Sequence, residues 1–137
     1  MEQLLALEMV RVTEAAAIES ARFMGRGEKD GADRAAVEAM RRAMDELSNL
    51  FAGYNGSYIL TFAGYNAGRG RVRQWIAAYG DPRDPKVDPV DWVERIPISE
   101  TRNYVARIME NLQVYRARFG GGNRLTIEAD LKRGAAN

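Results

Sequence analysis

The 137-residue sequence contains neither cysteine nor histidine. Without cysteine it can form no disulfide and no thiolate metal site, and nothing in it indicates an oxidising compartment. Without histidine it lacks the commonest general base and the commonest zinc ligand. Acid–base chemistry in this chain would therefore have to come from Asp, Glu, Lys or Tyr.

Excess charge and long apolar runs are also missing. The sequence has 20 basic and 19 acidic residues and a net charge of +1, which predicts neither a nucleic acid nor an anionic membrane as partner. No apolar run approaches the roughly 18 residues that indicate a membrane span. The first residues include Glu2 and Glu8 but no basic segment, so they do not resemble a secretory signal. As written, the sequence predicts a cytoplasmic protein.

Helical periodicity accounts for most of what is present. Apolar residues recur at spacings of three and four over residues 2–24 and 31–52, which predicts two amphipathic helices, the second capped by Asp30. The expected buried stripe of the second helix consists of Ala36, Val37, Met40, Met44 and Leu47. Further helices are expected at 57–67, 71–79 and 99–119, the first and last of them capped by Ser57 and Ser99. The class is all-α, a bundle of about five helices.

Two stretches are expected to be irregular. Residues 80–98 hold all four prolines and predict an ordered loop. The polar tail to residue 137 is expected to be loosely held, and residues 125–127 are the one candidate for a strand.

The first constellation with chemical potential is the segment 63–68, Ala-Gly-Tyr-Asn-Ala-Gly. Tyr65 and Asn66 end an apolar helix just before glycines that let a ligand approach the backbone. A tyrosine ring can stack on a sugar, and an amide can bond to hydroxyl or N-acetyl groups. The same residues also fit an ordinary helix end, with Asn66 near the left-handed region and Tyr65 in the core.

The second constellation is the segment 96–105, where Glu100 and Tyr104 lie four residues apart and hence on one helical face. Together with Tyr65 they could line one cleft. The alternative is a plain capped helix in which Glu100 favours the positive end.

These segments, together with Arg-Val-Arg-Gln-Trp at 71–75, Asp-Trp-Val-Glu-Arg-Ile-Pro at 91–97 and Leu-Thr-Ile-Glu-Ala-Asp-Leu at 125–131, occur in an order and spacing that resemble the soluble lytic transglycosylases. The resemblance covers residues 49–137. One departure is Arg69, where that family usually has proline.

This resemblance implies a bundle related to the C-terminal half of a lysozyme-like domain, with peptidoglycan or chito-oligosaccharide as partner. The family cleaves the β-1,4 bond after N-acetylmuramic acid without water, leaving a 1,6-anhydro end, and one glutamate acts as acid and then as base. This departs from the two-carboxylate scheme of most glycosidases. By resemblance, Tyr65 and Asn66 lie beside the catalytic carboxylate, and Glu100 and Tyr104 lie across the cleft.

The family's catalytic glutamate belongs to a Glu-Ser motif that is followed by Gly-Leu-Met-Gln. It lies farther ahead of the Tyr-Asn pair than the 64 residues that precede Tyr65, and this chain contains no Gly-Leu-Met-Gln run. Glu19-Ser20 is superficially similar, which makes Glu19 the one candidate for the catalytic residue.

Residues 8–47 resemble a different family, the class II fructose-1,6-bisphosphatases. The similarity is carried by Arg-Val-Thr-Glu-Ala-Ala-Ala at 11–17, Gly-Arg-Gly-Glu-Lys at 25–29 and Ala-Val-Glu-Ala-Met-Arg at 36–41. In that family the aspartate matching Asp33 is a metal ligand, but the other ligands begin with a Gly-Glu-Gly-Glu stretch that is absent here. A single carboxylate cannot hold a divalent cation in the required geometry, so no metal or other cofactor is expected.

The sequence thus predicts two segments, 1–48 and 49–137, packed as one unit and derived from unrelated families, one cytoplasmic and the other periplasmic. Whether recombination, engineering or sequence generation joined them is left open. The preferred hypothesis is a chimera-like helical protein that keeps half of a glycan-binding cleft without catalysis. The alternatives are a residually active lytic transglycosylase using Glu19, a helical module that forms homo-oligomers through its apolar stripes, and a phosphatase.

Overall fold

The computed structural model describes residues 13, 15–119 and 126–135, and most of these residues lie in helices. Their order is α1 (residues 15–21), α2 (Lys29–Gly53), α3 (Tyr58–Ala67), α4 (Arg69–Tyr79), α5 (Pro89–Glu94), α6 (Ser99–Phe119) and α7 (Ile127–Leu131). No strand occurs in these ranges. The predicted all-α class is confirmed, with two short helices more than the five expected. Among the helices of the described ranges, none is long and apolar enough to cross a membrane.

The chain divides into two compact units, Met1–Glu46 and Leu47–Asn137. In the first unit the described part of α1 ends at residue 21, three residues before the predicted end. Residues 2–12 and 14 of the predicted helix 2–24 lie outside the described residues. Gly25 and Gly27 follow at φ 80 and 69, where glycine avoids the steric cost of a Cβ. The expected cap of α2 is wrong, because the helix already begins at Lys29 and Asp30 lies in its first turn. There its charge still favours the positive end of the helix dipole.

The expected buried stripe of α2 is also wrong in part. The structure buries Ala39, Ala43, Leu47 and Leu50. Val37 is 52% exposed and Met44 is 40% exposed. Both sets have helical spacing, and two overlapping apolar stripes cannot be ranked from periodicity alone.

The second unit is built around α3. Its residues from Tyr58 to Gly64 are all buried, and it packs against α4, α6 and α7. Ser57 caps it as predicted, accepting a hydrogen bond from the Leu60 amide at 3.4 Å. A helix that is apolar on all sides belongs in a core, and aromatic side chains fill the surrounding space, since Phe62 meets Tyr104 edge-on with ring centroids 6.3 Å apart.

The proline-rich segment 80–98 is not wholly irregular, since it contains α5. Asp88 caps this helix by accepting hydrogen bonds from the amides of Val90 and Asp91, and Pro89 occupies the first turn. This pattern is a helix-start signal that the sequence analysis did not use. Trp92 is buried and donates from Nε1 to the Gly80 carbonyl at 2.9 Å, whereas Val90 is 53% exposed.

The tail also differs from its prediction. Ile127 begins α7, so the strand candidate is wrong there; Leu125 lies outside the described residues. Asp130 is 5% exposed, and its Oδ2 accepts hydrogen bonds from Gln113 Nε2 at 2.6 Å and from Arg116. The Thr126 amide donates to Gln113 Oε1 at 2.9 Å. These hydrogen bonds give the buried Asp130 carboxylate the partners that it requires. They also hold residues 126–131 against α6.

Past α7 the chain returns to the start of α3. The Arg133 guanidinium lies 4.8 Å from the centroid of the Tyr58 ring, a distance typical of a cation–π contact. Gly134 has a φ of 91, and a Cβ at this position would lie 2.9 Å from the Ser57 backbone nitrogen. Only glycine fits there without displacing the backbone.

The predicted cap of α6 is wrong, because Ser99 is already the first residue of this helix. The residue before the helix is Ile98, whose carbonyl accepts a hydrogen bond from the Arg102 amide.

Candidate functional site

The end of α3 carries the first predicted pair. Tyr65 and Asn66 lie in its last turn and are half-buried, where the buried helix reaches the surface. Gly68, with φ 90, ends the helix, and its amide donates to the Gly64 carbonyl. Glycine therefore takes the positive φ that the alternative interpretation assigned to Asn66, which stays helical.

A hydrogen bond joins this helix end to the start of α6. Thr101 Oγ1 donates to Asn66 Oδ1 at 2.6 Å. Thr101 is 1% exposed, so its hydroxyl holds the amide from the core side, and the Nδ2 group is left to donate to a ligand. The structure thus brings the segments 63–68 and 96–105 together through Thr101, to which the sequence had assigned no role. The sequence signal for Thr101 was its position in the first turn of the predicted helix 99–119.

The second predicted pair divides between core and surface. The Tyr104 side chain is 3% exposed and packs against Phe62 between α6 and α3. Glu100, in the first turn of α6, is exposed. Among the four predicted binding residues, Tyr65, Asn66 and Glu100 therefore reach solvent, whereas Tyr104 contributes to the packing that positions the helices.

The residue Tyr54 adds an element that the sequence analysis missed. A Cβ on Gly64 would lie 3.1 Å from Tyr54 Cε2 and 3.4 Å from its hydroxyl, so the phenol lies against the α3 backbone one residue before Tyr65. Burial raises the pKa of Tyr54, and the positive charges of Arg69, Arg73 and Arg83 oppose that shift.

An ion pair organises the loop beside this tyrosine. Arg83 donates to Asp81 from Nε at 2.9 Å and from a terminal nitrogen at 2.6 Å, a bidentate geometry that is stronger than a single contact. These hydrogen bonds hold the pKa of Asp81 below its ordinary value of 3.8. The same arginine donates to the Tyr54 carbonyl at 3.4 Å. Because of this ion pair, the Asp81 carboxylate neutralises the positive charge of Arg83.

The candidate catalytic residue lies in the first unit, whereas Tyr65 lies in the second. The Glu19 carboxylate pairs with Arg22 at 3.1 Å. It lines an open groove of about 760 Å³ whose other lining residues are Arg22, Phe23, Arg26, Ala35, Glu38 and Arg42. Its role as acid and base stays a prediction.

The carboxylate of Asp33 is exposed on α2. Within the described ranges, no group of three or more acidic side chains is placed to hold a metal ion.

Two parts of the chain are similar to proteins of two different enzyme families. The family model for bacterial fructose-1,6-bisphosphatase, glpX-encoded, matches residues 3–51. The class 2 D-fructose 1,6-bisphosphatase/sedoheptulose 1,7-bisphosphatase of Synechococcus elongatus is 56% identical over 50 residues, which is 36% of this chain and 14% of that protein. Its counterpart in Acaryochloris marina is 55% identical over 47 residues, 34% of this chain and 14% of that protein.

The soluble lytic murein transglycosylase of Salmonella typhimurium is 33% identical over 87 residues, which is 64% of this chain and 13% of that protein. No solved structure matches the chain significantly. The chain spans about 13–14% of the length of these curated relatives. Both resemblances inferred from the sequence are confirmed, and the chain is chimera-like: one part is similar to a transglycosylase and residues 3–51 are similar to a bisphosphatase.

Proposed function

We propose that the second unit binds a glycan strand of peptidoglycan at the end of α3, and that this chain does not cleave it. The observation that carries the proposal is the Asn66 amide, held by the buried Thr101 hydroxyl at 2.6 Å at the point where α3 reaches solvent. An amide whose oxygen is already bonded presents a pre-oriented donor. The similarity to a murein transglycosylase supports the choice of ligand.

The chemistry of the three surface residues suits an N-acetylated sugar. The Asn66 Nδ2 group can donate to an acetyl carbonyl, and the exposed Glu100 carboxylate can accept from a hydroxyl. The half-buried Tyr65 ring offers an apolar face for the sugar ring. Pre-organisation by Thr101 lowers the ordering cost of binding.

The absence of cleavage is part of the proposal because the segment before α3 is similar to a bisphosphatase, a different enzyme from a transglycosylase. The bisphosphatase family model covers residues 3–51, which is most of the sequence before Tyr65. The carboxylate proposed for the alternative, Glu19, is engaged by Arg22 in the first unit.

Binding is tested by calorimetric titration with an N-acetylated chito-oligosaccharide. Asn66→Asp is the sharpest variant, because a carboxylate still accepts from Thr101 but cannot donate to the ligand. Loss of one such donor is expected to weaken binding about fivefold, in line with ~1 kcal/mol for a neutral hydrogen bond. Asn111→Asp, an exposed substitution farther along α6, is the matched control and should bind as the unmodified protein does. Equal affinities for the two variants, or no binding by the unmodified protein at millimolar ligand, would contradict the proposal.

Cleavage is tested separately on purified peptidoglycan sacculi, with 1,6-anhydro products measured by mass spectrometry. We expect no products from either the unmodified protein or Glu19→Gln. Products from the unmodified protein that disappear with Glu19→Gln would establish the alternative, a residual transglycosylase.

A further inference from the structure

Helix α4 carries an unbalanced set of positive charges beside the candidate site. Arg69, Arg71 and Arg73 lie in its first two turns, and the first turn contains no acidic residue. Cations near the N-terminus of a helix oppose the helix dipole and reduce stability. This placement is therefore not explained by the stability of α4.

Two of these arginines share a face. Arg69 and Arg73 are four residues apart, so their side chains lie on the same side of α4, and both residues are exposed. Among the ion pairs of the described residues, neither guanidinium takes part. Arg83, by contrast, is neutralised by Asp81 at 2.6 Å.

The side chain of Tyr54 connects this face with the candidate site. The Arg69 guanidinium lies close to the end of α2, since a Cβ on Gly53 would be 3.2 Å from its NH1 atom. The Tyr54 phenol lies against Gly64, next to Tyr65 in α3. The charges of both Arg69 and Arg73 act on that phenol. Because burial raises its pKa, the hydroxyl remains protonated at neutral pH and can donate a hydrogen bond.

We propose that Arg69, Arg73 and the Tyr54 hydroxyl form a subsite for a carboxylate carried by the glycan strand. Two guanidiniums supply donors only and the phenol hydroxyl can donate as well, which is the chemistry that recognises a carboxylate. This inference rests on the proposed glycan site and extends it, since a carboxylate subsite beside Asn66 makes the site selective for an acidic glycan over a neutral one. The carboxylate can come from the lactyl group of the sugar or from an attached peptide.

The test compares three ligands by calorimetry at low salt: a neutral chito-disaccharide, the disaccharide N-acetylglucosaminyl-N-acetylmuramic acid, and the same disaccharide with a peptide attached. The carboxylate-bearing ligands are expected to bind about fivefold to tenfold more tightly than the neutral one, as one or two charge-assisted hydrogen bonds would give. The preference should decrease as the salt concentration rises, because exposed charges are screened. Whichever acidic ligand shows the larger preference identifies the source of the carboxylate.

The variants Arg69→Gln and Arg73→Gln test the residues. Each is expected to reduce the ratio of neutral to acidic dissociation constants about threefold. Arg107→Gln is the control, because Arg107 is exposed on α6 and is not among the charges that act on Tyr54. Equal affinity for neutral and acidic ligands, or a ratio that Arg69→Gln and Arg107→Gln change alike, would overturn the subsite and leave the glycan site standing. Failure of all three ligands to bind would overturn both.

Discussion

Replacing Asp130 by alanine should destabilise the second unit strongly. The change leaves the Gln113 amide and the Arg116 guanidinium without their acceptor on α7. Gln113 is 8% exposed, so its lost hydrogen bond costs about 1–3 kcal/mol as an unsatisfied buried donor. Loss of one partner from a fully buried ion pair costs roughly 3–5 kcal/mol. The Arg116 side chain is 22% exposed and can be partly rehydrated, so a total of about 3 kcal/mol is expected.

Tryptophan fluorescence during urea unfolding reports this loss. Trp75 and Trp92 both belong to the second unit and are 6% and 1% exposed, so their emission follows its unfolding. The matched control is Glu128→Ala, which removes an exposed carboxylate from the same helix and should cost no more than about 0.5 kcal/mol. An Asp130→Ala cost below about 1 kcal/mol, or one equal to that of Glu128→Ala, would refute the assignment of a stabilising buried network.

Two further changes test backbone fit and charge in the same unfolding assay. Gly134→Ala should cost about 2 kcal/mol, because residue 134 has a φ of 91 and the added Cβ would lie 2.9 Å from the Ser57 nitrogen. Gly70→Ala is the control: its Cβ would meet nothing within 4 Å in α4, so the change should stabilise the unit by up to about 0.5 kcal/mol. Equal effects of the two substitutions would contradict this account. Asp81→Asn should lower stability at neutral pH. Because Arg83 depresses the pKa of Asp81, the advantage of the unmodified protein is complete above the unfolded-state pKa and is lost as pH falls through the lower folded-state value. Parallel stability curves down to about pH 2 would show that the charge contributes nothing.

The features of the fold that could be predicted from the sequence are those that local residues determine. Helix α3 was predictable because a run of mostly apolar residues follows Ser57, a residue type that caps helices. The structure buries seven consecutive residues of this run, Tyr58 to Gly64. Helix α5 was missed although Asp88 and Pro89 mark its start, since four prolines in one segment suggested a loop. Helix α7 was missed because its stability depends on Gln113 and Arg116, which lie more than ten residues away in the sequence.

The candidate site shows the same limit. Tyr65, Asn66 and Glu100 could be selected from residue type and position near helix ends. The Thr101–Asn66 hydrogen bond joins residues 35 apart in the sequence, and only the packing of α3 against α6 reveals it. The Tyr54 phenol likewise reaches the site because Gly64 leaves room for it.

The contacts of α3 also bear on how the protein is made. During synthesis this helix leaves the ribosome after the end of α2, which it contacts through Phe51, but before α4, α6 and α7. Its apolar surface, which ends fully buried from Tyr58 to Phe62, therefore lacks its partners on α4, α6 and α7 until those helices follow. The last contacts come from Arg133 and Gly134. An apolar segment that waits for the end of the chain is a natural target for chaperones and a source of aggregation when translation stalls.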